Sequence, residues 1–290
     1  MDDPVPPPLP TEPPPIVVEA RPVGLATSPD VSVASPYFTL REPPALSLPG
    51  VDVSAAWLDL ALVLIVAVIA RYVPEIIVWS WSGRAELPGD LSVVLTLGKW
   101  FEMSAAVMLL IYMCARNAIA PRGFGVRADR LPAQFGWSAA TLVGCYACFL
   151  GVGLMIGLAA MLFPQAERDL MQRVEFSKAM PTQDLSITLL LLIPVAIHEE
   201  VIFRGLLIPY FWRVSGSATL AVLVTALIFG ALHIHQGVLG MIQITALGAA
   251  LGAFFVWSRS LLATALAHFA FNFLQFQLIN SLRELLEKVR

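Results

Sequence analysis

His198-Glu199-Glu200-Val201-Ile202-Phe203-Arg204-Gly205 is the stretch that decides how this chain is built. It sits inside an apolar run over residues 185–212, yet it holds two adjacent carboxylates and a guanidinium. At the centre of a bilayer each such charge costs about 2.5–3.5 kcal/mol on insertion scales. A chain that keeps three of them there is using them, and the rest of the sequence reads as their scaffold.

Composition supports that scaffold being a membrane one. Of 290 residues, 58% are hydrophobic and only 13% charged, about half the charged share of a soluble domain. Mean hydropathy is +0.76. The net charge of −3 comes without a basic patch, which argues against a nucleic-acid partner. Cys145-Tyr-Ala-Cys148 has redox-motif spacing but lies in an apolar helical run, so its cysteines read as small packing residues.

Upstream of the key stretch, residues 1–50 hold most of the 22 prolines. Such a segment buries too little surface to offset its ordering entropy and is expected to be a disordered tail. Residues 51–290 form the polytopic membrane domain. Its apolar blocks are 55–70, 91–115, 135–163, 185–212, 218–235, 238–257 and 261–280, with an eighth span if 74–81 dips in. Trp79 and Trp81 in that last segment suit headgroup depth. The expected fold is all-α, a multi-pass membrane helix bundle of about seven to eight transmembrane helices. Gly153-xxx-Gly157 and Gly248-xxx-Gly252 mark faces where helices approach closely. Arg116, Arg122, Arg127 and Arg130 in one loop place that loop and the N-terminal tail in the cytoplasm.

Once loops and helix ends are set aside, few ionisable groups remain in the apolar blocks, and all four histidines of the chain are among them. Lys99 and Glu102 are one turn apart and read as a structural pair. Glu200 and Arg204 are i,i+4 with the acid first, the favourable order for a buried ion pair. His268 and Asn272 share a helix face, as do Phe229 and His233. An imidazole and a carboxamide on one face suit joint donation to an oxyanion. Glu199 has no partner on its own helix and is the candidate general base. His198-Glu199 opens like a zincin motif, but Ile202 stands where its second histidine belongs. A three-ligand zinc site from Glu199, His233 and His268 stays open as the metal alternative.

Glu199-Glu200-x-x-x-Arg204, Phe229-x-x-x-His233 and His268-x-x-x-Asn272, in that order on successive apolar helices, resemble the three motifs of the CAAX-protease and bacteriocin-processing (CPBP, or Abi) family of prenyl-protein endopeptidases. The resemblance covers residues 185–280, and Gly123-Phe-Gly-Val-Arg127 is similar to a short segment that many members carry upstream. It implies an intramembrane endopeptidase with Glu199 activating a water, His233 assisting, His268 and Asn272 forming the oxyanion hole, and Glu200 and Arg204 in support. No cofactor is favoured, although members have also been described as metalloproteases, so a divalent metal such as zinc is the alternative. The partners are a peptide or membrane-protein substrate and the lipid bilayer. His198 and His235 lie outside the motifs and read as structural. Two other classes compete: a proton-coupled transporter using the same groups as a relay, and a non-catalytic membrane binding or immunity protein. The polar residues concentrate in the last hundred positions, and no inverted repeat is apparent, which favours the enzyme. With straight, alternating spans, His233 and His268 would differ in depth by roughly 10 Å at the helical rise. Their convergence requires tilt or a helix that starts deep in the protein.

Overall fold

The computed structural model describes residues 46–82, 91–165, 167–168 and 185–289. Among them every regular element is helical. The α-helices are α1 (Val53–Ser82), α2 (Leu91–Arg116), α3 (Leu131–Leu162), α4 (Leu185–Glu200), α5 (Ile208–Ser215), α6 (Ala218–Ala231), α7 (Gly237–Ser258) and α8 (Leu261–Val289). A π-helical stretch, Val201–Leu207, joins α4 to α5, so Leu185–Ser215 is one rod. Among the described residues six segments are long and apolar enough to cross a membrane, and α6 is a shorter apolar helix. The outward faces carry Met108, Val143, Leu154 and Met161, each at least 65% exposed. That surface suits lipid and would be costly in water.

Three expectations shift. The segment 74–81 is not a separate element, because α1 runs through Pro74 to Ser82; the side chains of Trp79 and Trp81 lie outside the described residues. Residues 1–45 of the expected tail also lie outside them, but Leu46 and Leu48 are buried in the core with Val51. Proline-rich composition hides two leucines spaced to reach one apolar cluster. The last apolar block, expected over 261–280, is the first part of a longer helix, because α8 continues to Val289.

The rod is the axis of the bundle, with α2 and α8 packed along its first half. Pro194 lies inside α4 and has no N–H, so the Leu190 carbonyl four residues back loses its helical donor. Trp100 of α2 supplies one, donating Nε1–H to that oxygen at 3.0 Å. In the π-helical stretch the Ile208 N–H reaches the Phe203 carbonyl, five residues back, and all seven residues are buried. Beyond it α5 turns to α1 and α6. Its Tyr210 accepts a hydrogen bond from Asn117 Nδ2 at 3.0 Å. Asn117 also donates to buried Asp59, which Arg116 holds at 2.8 Å.

Small residues let α6 and α7 approach. A Cβ on Gly230 would meet Thr245 Oγ1 at 1.8 Å, and one on Gly248 would meet Phe229 at 3.0 Å. Gly252 is equally close to Val222, so the Gly248-xxx-Gly252 face is the α6 contact. Gly153-xxx-Gly157 is only half used: Gly153 lies against Gln243, while Gly157 has open space. The cysteines are free, and Cys145 packs with Leu247, Leu251 and Phe271. Gly125 takes φ +81° and lies against Phe255, where a side chain would clash. Its carbonyl accepts from Leu261 N–H at 2.8 Å, docking this segment at the start of α8.

Candidate active site

The site begins where α4 gives way to the π-helical stretch. Glu200 is fully buried, and its Oε1 accepts from Arg204 Nη1 and lies against His268 Nδ1, both at 2.8 Å. Arg204 also donates to the Gly248 carbonyl at 3.0 Å and stacks 4.9 Å from the Phe229 ring centre. One guanidinium therefore ties the rod to α6 and α7. Glu200 Oε2 has no partner among the described residues. Glu199, the next residue, points elsewhere: its side chain is 19% exposed and faces a cavity.

His233 reaches that cavity because α6 stops short. Its 14 residues rise about 21 Å, well under the ~30 Å of a hydrocarbon core. The apolar run 218–235 was expected to span; its helix ends at Ala231, and α7 begins only six residues later. A helix end leaves carbonyls without donors. Here the His233 Nδ1 lies 2.8 Å from the Phe229 carbonyl oxygen. A carbonyl only accepts, so Nδ1 carries the proton and Nε2 is the free, basic nitrogen. Despite the mismatch expected for straight, alternating spans, His233 and His268 line the same cavity.

His268 comes from α8 and stands between the two glutamates. Nδ1 faces Glu200, and Nε2 is 3.6 Å from Glu199 Oε2. The Phe229 ring lies edge-on to His268 at 6.3 Å and tilted against His233 at 4.9 Å, with the Arg204 guanidinium also packed on it. Asn272, one turn beyond His268, faces the same space. Glu199, His233, His268 and Asn272 thus line a single cavity of about 300 Å³.

Two further histidines sit apart from it. His198 is buried, with Nδ1 3.5 Å from Glu102 Oε2. Glu102 is held by Lys99 at 2.8 Å and approached by Arg71 at 3.6 Å. The Lys99–Glu102 pair is therefore part of a larger knot joining α1, α2 and α4. His235 stacks at 5.8 Å on His233 but does not line the cavity. Among the described residues no three His, Cys, Asp or Glu side chains gather closely enough to hold a metal ion. Glu199, His233 and His268 line one cavity without forming such a ligand set.

Sequence reasoning missed Gln236 and Gln275, which also line the cavity. A usable signal was present: each lies three residues after a motif residue, His233 or Asn272, in apolar surroundings.

Residues 181–274 match the family model described as Type II CAAX prenyl endopeptidase Rce1-like. The matched segment contains all three motifs and supports a CAAX-protease-like membrane peptidase. Comparison with curated proteins and with solved structures returns no match.

Proposed function

We propose that this protein hydrolyses peptide bonds inside the membrane, with Glu199 as general base. The observation that carries the reading is the convergence of Glu199, His233, His268 and Asn272, from three separate segments, on one cavity among apolar helices. A water held between Glu199 and the free Nε2 of His233 gives its proton to Glu199. Its oxygen attacks the substrate carbonyl carbon, and the π electrons move to the carbonyl oxygen. The Asn272 amide and His268 Nε2–H donate to that oxyanion, the kind of preorganised donation that is worth most in a water-poor site. The C–N bond then breaks, and the proton on Glu199 passes to the leaving amine.

Glu200 and Arg204 set up His268. With Nδ1–H on Glu200, the ring donates from Nε2 only when both nitrogens carry protons. Two carboxylates and two cations, Glu199, Glu200, Arg204 and His268, then sum to zero charge, which suits a site removed from water. No step requires a metal. The substrate is a peptide or membrane-protein segment, and the N-terminal tail and the 117–130 loop face the cytoplasm.

The test is cleavage of a quenched-fluorescent peptide library in liposomes by wild type, Glu199→Ala and His233→Ala. Each substitution should lower the rate by at least about 100-fold, the usual share of general acid–base catalysis. Unchanged cleavage in either variant rejects the assigned role. A strong chelator should leave the rate intact; loss that zinc restores would transfer Glu199, His233 and His268 to a metal-ligand role.

A further inference from the structure

We infer that Gln236 and Gln275 grip the substrate backbone on the two sides of the bond to be cut, fixing which peptide group meets Glu199. The inference rests on the peptidase reading and adds to it two binding residues and a substrate class.

Both residues line the cavity, and no described residue hydrogen-bonds either side-chain amide. Both residues are half-buried and open to the cavity rather than sealed off, so an occupant that dried the cavity without pairing their amides would cost roughly 1–3 kcal/mol for each. Two of them facing one cavity are explained by a ligand that satisfies them. Their placement is regular. Gln275 lies three residues past Asn272 on α8, an axial rise of about 4.5 Å. Gln236 lies three past His233 through the 3₁₀ turn Ile234–Gln236, roughly 6 Å of rise. An extended peptide advances about 3.3 Å per residue. Each glutamine is thus one to two peptide groups from the reacting carbonyl, one on α8 and one on the turn before α7.

A carboxamide offers one acceptor and two donors, the complement of a peptide C=O and N–H. Pairing of that kind holds a backbone extended without regard to side chains. The remaining walls, among them Phe149, Leu192, Phe271 and Phe276, are apolar, and no Lys or Arg among the described residues lines the cavity. The substrate class is therefore an extended segment whose residues beside the cut are uncharged and apolar, with any carboxylate lying outside the cavity.

The experiment takes the best-cleaved library peptide in liposomes and makes analogues N-methylated at each backbone nitrogen flanking the cut. Gln275→Met and Gln236→Met keep volume and lose the amide. Each should raise KM about 10-fold with kcat nearly unchanged, the effect of one lost buried hydrogen bond. At one flanking nitrogen, methylation should weaken wild type by a similar factor and add nothing in the matching Met variant. An aspartate beside the cut should abolish cleavage. Gln275→Glu and Gln236→Glu, which keep acceptors and lose donors, serve if a Met variant fails to unfold cooperatively in detergent. Unchanged KM, or the same N-methyl penalty in variant and wild type, overturns the inference while leaving the peptidase reading standing. A wild type that cleaves no library member overturns both.

Discussion

Removing the Arg204 guanidinium should be among the most damaging single changes the fold can suffer. Arg204 is 2% exposed and Glu200 fully buried, so Arg204→Met leaves a carboxylate in the core with His268 as its one remaining partner. Breaking a buried pair from one side costs about 3–5 kcal/mol. The second donation to the Gly248 carbonyl, which keeps its helical partner, is also lost, roughly 0.5–1.5 kcal/mol, and so is the contact over Phe229, about 0.5–2 kcal/mol. These terms overlap, and a total near 4 kcal/mol is expected, much of a typical 5–15 kcal/mol margin. The measurement is a double-mutant cycle with Glu200→Gln, read by reversible unfolding in mixed detergent micelles. Removing both charges should cost at least about 2 kcal/mol less than the sum of the single changes, because no unpaired charge remains. Additive costs, or an Arg204→Met variant within 1 kcal/mol of wild type, would refute the view that this pair exists to cancel charge.

Two other outcomes test how the site is delivered. Gly230→Ala puts a methyl 1.8 Å from Thr245 Oγ1, so α6 must withdraw from α7. A stability loss of about 1–3 kcal/mol should come with a fall in peptide cleavage, and normal activity would show that His233 does not depend on this contact. Trp100→Phe deprives the Leu190 carbonyl of its donor, about 1–3 kcal/mol at a site facing apolar surroundings. If the carbonyl is the reason, Pro194→Ala should make the Trp100→Phe change nearly harmless in the same unfolding assay; an equal loss in both backgrounds argues against it.

The residues at the cavity were legible because polar groups in apolar runs are conspicuous. Glu199, His233 and His268 stood out by chemistry, and Asn272 beside His268 and Glu200 with Arg204 by spacing. The means of bringing them together was not legible. Residues 218–235 read as one apolar block, and nothing in hydropathy marks Ala231 as the last helical residue. The helix end coincides with a tertiary contact, Gly230 against Thr245, and with a local one, the His233 ring on the Phe229 carbonyl four residues back. The π-helical stretch is hidden for a related reason, since its seven residues have ordinary helical composition. Lys99–Glu102 was visible as a one-turn pair, whereas His198 and Arg71 join it only across helices.

The π-helical stretch also works as an angular adjuster. An α-helix turns about 100° per residue, so one residue more or fewer between Glu200 and Ile208 would rotate α5 by that amount against α4. Tyr210 would then swing away from Asn117, or Glu199 away from the cavity, since a rigid rod cannot satisfy both. The wider loop frees the two halves to be aimed independently. The upstream half answers to the cavity that Glu199 faces, and the downstream half answers to its anchorage on α1. Single-residue deletions within 201–207 mark the point where those two demands are separated.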